Sequence, residues 1–131
     1  MTVKELYSYL DKKIPTSLSC EWDNDGLMCC PEPDREVKRV LVALDVTAEI
    51  AETAVSGGYD LIVSHHPFIF KGLKGINGED HISAKAIRLI NPAHISFFTP
   101  NLQTKNPKKR FIMVVVTYLN VSLREKNTLS I

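Results

Sequence analysis

Tyr59-Asp60-Leu61-Ile62-Val63-Ser64-His65-His66-Pro67 reads as a short buried strand that carries two adjacent imidazoles to its exit and stops at a proline. Leu61, Ile62 and Val63 form an unbroken apolar run after Gly57-Gly58, the pattern of a strand covered on both faces. Continued pairing would send His65 and His66 to opposite faces. Pro67 opposes continuation, because it has no ladder donor and biases His66 away from helix. In an exit loop both rings are free to converge. Neutral imidazole ligates zinc, iron, nickel or copper, so the pair is a candidate metal site, and other residues must complete it. The competing reading is a pair of surface or hydrogen-bonded structural histidines.

Upstream, Lys38 to Asp45 reads as a strand, apolar inside and ending on a carboxylate. Thr47 can cap a helix over residues 48–56, with Ile50, Ala51, Ala54 and Val55 on one face, and Gly57-Gly58 closes it. Strand, helix and strand in this order predict a right-handed parallel crossover. Both strands then end on one sheet edge, where ligands normally bind. Asp45 should lie on the same rim as His65 and His66, within reach of a shared ion or of a ring that holds one. Capping of the following helix is the alternative role for Asp45.

The remaining elements follow the same logic. Thr2-Val3-Lys4-Glu5 has the form of a capping box, and Val3, Leu6, Tyr7 and Leu10 recur at helical spacing through residues 3–13. Pro15 ends that helix. Residues 16–36 read as loop with one short strand around Leu27. Trp22 is expected as a packing anchor; its polar neighbours are turn formers or, alternatively, side chains facing a cation. After a glycine-containing loop, Ser83–Ile90 reads as a helix with Ala86, Ile87 and Ile90 inward, ended by Asn91-Pro92. His94 to Phe98 should be a third parallel strand. His81 and His94 are isolated, and each reads as a surface or structural residue. The fold class is α/β, a mostly parallel sheet with flanking helices.

A chain of 131 residues with 44% hydrophobic and 24% charged content suits one soluble domain with a real core. No apolar run approaches the roughly 20 residues of a membrane span, and Met1-Thr2-Val3-Lys4-Glu5 shows no secretory signal. Cys20, Cys29 and Cys30 are odd in number and two are adjacent, which argues for reduced thiols and a cytoplasmic location. Net charge is uneven: residues 1–95 hold 10 Lys+Arg against 14 Asp+Glu, and residues 96–131 hold 6 against 1. All six glycines fall at or before Gly78. Residues 99–131 therefore read as a basic, β-prone tail distinct from an α/β domain over residues 1–98. Phe111–Leu119 is strand-like and free of charge. Lys108-Lys109-Arg110 reads as a solvated cluster rather than a nucleic-acid site, since whole-chain charge is near zero.

Taken together, Glu21-Trp22-Asp23-Asn24-Asp25-Gly26-Leu27, Val42-Ala43-Leu44-Asp45-Val46-Thr47 and Asp60 to Pro67 with Ile69-Phe70-Lys71 resemble one family. It is the dinuclear metal-centre, hexameric family of GTP cyclohydrolase 1 type 2 homologues, and the likeness covers roughly residues 1–98. The resemblance implies a two-metal site of zinc, iron or manganese, with His65 and His66 as ligands. It also implies a toroidal homohexamer and hydrolase-like chemistry on a nucleotide. The family's His-Thr-x-x-Asp pattern is replaced here by Thr99-Pro100-Asn101-Leu102-Gln103, so an amide, Gln103, stands for an anionic ligand. The family's more distal His and Glu ligands have no counterpart. This departure implies a truncated or frame-shifted reading after about residue 98 and an incomplete metal site. Two functions follow from different classes: a metal-dependent, cyclohydrolase-like hydrolase, or a non-catalytic hexameric scaffold that binds regulatory partners.

Overall fold

Side-chain alternation along Leu61–Ser64 divides the molecule into two packed layers. The computed structural model describes residues 1–15, 19, 21–91 and 95–99. Among them are α1 (Val3–Lys13), β1 (Gly26–Cys29), β2 (Val40–Ala43), α2 (Ala48–Ser56), β3 (Leu61–Ser64), α3 (His81–Ile90) and β4 (Ser96–Thr99). The strands form one sheet in the order β1-β4-β3-β2. Strands β2, β3 and β4 run parallel, and β1 pairs antiparallel with β4. The expected mixed α/β architecture is the one observed. The strand-like run at residues 111–119, the basic cluster at 108–110, His94 and Gln103 lie outside the described residues.

Leu61 and Val63 point to one face with Phe98, where Val3, Leu6 and Leu10 of α1 cover them. Ile62, Phe97 and Ile95 point to the other face, under Ala51 and Ala54 of α2 and Ala86 and Leu89 of α3. Both β3 and β4 are buried throughout, which explains the apolar run Leu61–Val63 and the Phe97-Phe98 pair, while Ser64, Ser96 and Thr99 at the strand ends are buried polar residues. Phe97 meets Phe68 edge-on at 4.6 Å, and Phe98 meets Tyr7 at 5.2 Å. Edge-on contacts of this kind add to area burial because the ring edge faces the negative π-face.

Local signals start and stop the helices as expected at two of three places. Thr2 and Glu5 form the full capping box of α1, and the Thr47 hydroxyl accepts from Ile50 N to begin α2. Gly57 must stay small, since a Cβ there would meet the Tyr59 ring at 2.6 Å and Thr53 O at 2.8 Å. Gly58 takes a φ of 62°, which favours glycine.

Three expectations are corrected. α3 begins two residues early, at His81, because Asp80 caps it through Ile82 N and Ser83 N. Its buried face is Ser83, Ala86 and Leu89, whereas Ile87 is 39% exposed. Trp22 is no packing anchor: it is 70% exposed, carried on a turn of charged and amide residues in which Asn24 donates to Ile69 O and Asp25 accepts from Ser19. A register shift in β1 puts Met28 and Cys29 against the same core, with Cys30 against the other. The two thiols thus face opposite layers and are free; burial pushes the Cys29 thiol above its ordinary value.

Candidate metal centre

The parallel ladder between β2 and β3 continues past both strand ends. His65 N donates to Ala43 O at 3.1 Å and His66 N donates to Leu44 O at 2.9 Å. These bonds bring the residue after Leu44 alongside the second imidazole. Asp45 Oδ1 and His66 Nδ1 are 2.7 Å apart. The His65 and His66 rings lie side by side, with centroids 4.7 Å apart and planes tilted by 54°. The structure thus brings together all three residues that the sequence placed on this rim. Asp45 does not cap α2, a role filled by Thr47. His81, at the first position of α3, is exposed and stands apart from this group.

An ionised carboxylate only accepts hydrogen bonds, so His66 Nδ1 is the donor to Asp45, and in a neutral ring so arranged Nε2 keeps its lone pair. That tautomer is the one a metal needs, and a carboxylate behind an imidazole raises its basicity as a ligand. The His66 and Asp45 side chains are 51% and 60% exposed. A pair so open to water adds little stability, so its consequence is orientation. Among the described residues, no group of three or more His, Cys, Asp or Glu side chains could enclose an ion. The two imidazoles, side by side, could therefore supply only part of a divalent cation's shell.

Two features of this rim were not legible in the sequence. Ser64 Oγ donates to His66 O at 2.9 Å and lies 3.0 Å from Thr99 Oγ1. With its proton committed, Ser64 accepts from Thr99, and the buried pair of hydroxyls pins the backbone that bears the second imidazole. The other feature is Lys85, whose Nζ donates to Val46 O at 2.6 Å and stands 5.0 Å from the Phe68 ring centroid. Burial pushes its ammonium below the ordinary lysine value, against the pull of Asp45. Its position beside the inward face of α3 was the only available signal.

Residues 1–102 match the family model described as Duf34/NIF3 (NGG1p interacting factor 3). The chain belongs to the DUF34/NIF3 family. A Staphylococcus aureus relative named GTP cyclohydrolase 1 type 2 homolog is 43% identical over 90 residues, which are 67% of this chain and 24% of the relative. NIF3-like protein 1 of Drosophila melanogaster is 31% identical over 99 residues, 76% of this chain and 32% of the relative. A crystal structure of a Staphylococcus aureus protein superposes with a TM-score of 0.69 at 36% identity, over 76% of this chain and 28% of that one. The chain thus spans about a quarter to a third of the length of these NIF3-family proteins. No described helix is long and apolar enough to cross a membrane.

Proposed function

We propose that this chain carries part of the divalent-metal centre of a hydrolase-like NIF3-family protein. His65 and His66 are its ligands, and Asp45 orients the second ring. The observation that carries this reading is the 2.7 Å contact between Asp45 Oδ1 and His66 Nδ1, with the His65 ring beside it. Imidazole donors suit zinc or iron, and the family resemblance adds manganese. Such an ion, when bound, supplies Lewis-acid polarisation of a substrate oxygen and of water. The chain's own part is to present two imidazoles in the ligating tautomer and to hold His66 through Ser64 and Thr99. The S. aureus relative's name points to a nucleotide as substrate class, and homo-oligomeric assembly, a hexamer by resemblance, belongs to the same proposal.

A second reading, a non-catalytic scaffold, draws on the absence of a third ligand among the described residues and on Gln103 where the resemblance calls for an aspartate. Elemental analysis of purified protein, paired with its mass in solution, separates the two. Near-stoichiometric zinc, iron or manganese that is lost in His65→Ala and His66→Ala supports the metal centre. An oligomer that carries no metal after reconstitution leaves the scaffold.

A further inference from the structure

The rim with the second imidazole, His66, also borders an open cavity of about 210 Å³, between the β2–α2 turn, the exit of β3 and α3. Asp45 and His66 line one part of it, Lys85 another, and Phe68 and Ile82 add apolar wall. Lys85 is fixed there by its bond to Val46 O and its place over Phe68. An ammonium has three donors, and Val46 O takes one of them.

Charge decides what this cavity can hold. Asp45 and Lys85 balance each other, and a metal-ligating imidazole is neutral. Without a cation the cavity therefore has no net attraction for an anion. A divalent ion held by His66, which shares this cavity with Lys85, would add two positive charges to it, in surroundings where apolar walls weaken screening. The volume is below the ~300 Å³ at which whole small molecules are usually enclosed, so it suits one group of a larger ligand.

We propose that Lys85 is the protein's half of an oxyanion clamp, holding a phosphoryl or carboxylate group of the substrate against the cation carried by His65 and His66, and only once that cation is bound. This inference rests on the metal reading above and adds to it a substrate-anchoring residue and an order of binding. Phosphate and metal should each tighten the other's binding by the same factor, as linkage requires.

Equilibrium dialysis of the full chain against radiolabelled orthophosphate, with and without manganese, tests the proposal while elemental analysis counts bound metal in the same samples. The expected result is phosphate retention only with manganese. Lys85→Met, which keeps the apolar stem, should weaken that retention about tenfold or more, with metal bound in the absence of phosphate unchanged. Lys85→Arg should restore most of it. Competition by methyl phosphate or by acetate assigns the group as phosphoryl or carboxylate. Metal-loaded protein that retains no phosphate overturns this inference and leaves the metal centre standing. Equal retention by Lys85→Met, or retention without metal, also overturns it. Protein that binds neither manganese nor, in parallel dialysis, zinc or ferrous iron overturns both.

Discussion

His66 and Asp45 make a contact that adds little to stability. Both side chains are more than half exposed, so removing the carboxylate leaves the core untouched. Asp45→Asn keeps the shape but lets the amide present either a donor or an acceptor to Nδ1, and the ligating tautomer loses its support. Metal affinity should fall by about 10- to 100-fold, read by competition with a chromophoric chelator, while the unfolding midpoint stays put. Unchanged affinity would show that the carboxylate does not orient the ring. This pair was legible beforehand because each residue follows an apolar run that can only be a strand, and parallel strands end together. The hydroxyl pair of Ser64 and Thr99 was not, because it depends on the β3–β4 register, which pairs Val63 with Phe98 and which no local pattern encodes.

At the scale of elements, α3 shows why a hydrophobic count picked the wrong face. Isoleucines at 87 and 90 outrank a serine on any hydropathy scale, yet Ser83 is fully buried and Ile87 is not. Ser83 can go inside because its hydroxyl donates to the Asp80 carboxylate, which also accepts from Ile82 N and Ser83 N. Its polar group is satisfied before it leaves water. The same three bonds hold the Asp80 carboxyl below its ordinary value, the Ser83 hydroxyl contributing most. The unfolded chain therefore binds this proton more readily than the folded one, and stability rises with pH across that interval. The cap's contribution is present above the unfolded carboxylate pKa and is lost as pH falls through the folded one. Asp80→Asn should lower the thermal midpoint at neutral pH, and the gap to wild type should narrow in acid. A gap independent of pH would place the cap's effect in geometry alone. By contrast, α1 and α2 were readable in full, since Thr2 and Thr47 sit immediately before apolar periodicity with nothing to compete with them.

The whole molecule is held at its two sheet edges by different means, and only one edge announces itself in sequence. At the edge opposite the imidazoles, Asp60 accepts from Arg35 Nε at 3.0 Å and Nη2 at 2.8 Å, and from the backbone N–H groups of Lys38 and Arg39. The sequence assigns Asp60 no role of its own; its place as a junction of the β2 approach and β3 emerges only from packing. Asp60→Asn would leave a guanidinium and two backbone donors facing an amide, and should cost roughly 2–3 kcal/mol in denaturant unfolding. Trp22 reports on the level above the single chain. It is the one tryptophan in the sequence, 70% exposed, on a loop that Asn24 ties to Ile69 O near the 52% exposed Phe70. Large apolar side chains kept in water by a polar tether have no intramolecular gain to offset their hydration, whereas an interface between copies would bury them. With homo-oligomeric assembly proposed, Trp22 emission should be water-exposed and fully quenchable in dilute protein. It should shift to the blue and become protected as concentration drives association. Trp22→Ala should move that association to higher concentration without changing the unfolding of the isolated chain. Assembly that leaves the emission and its quenching unaltered would place the contact surface elsewhere on the molecule.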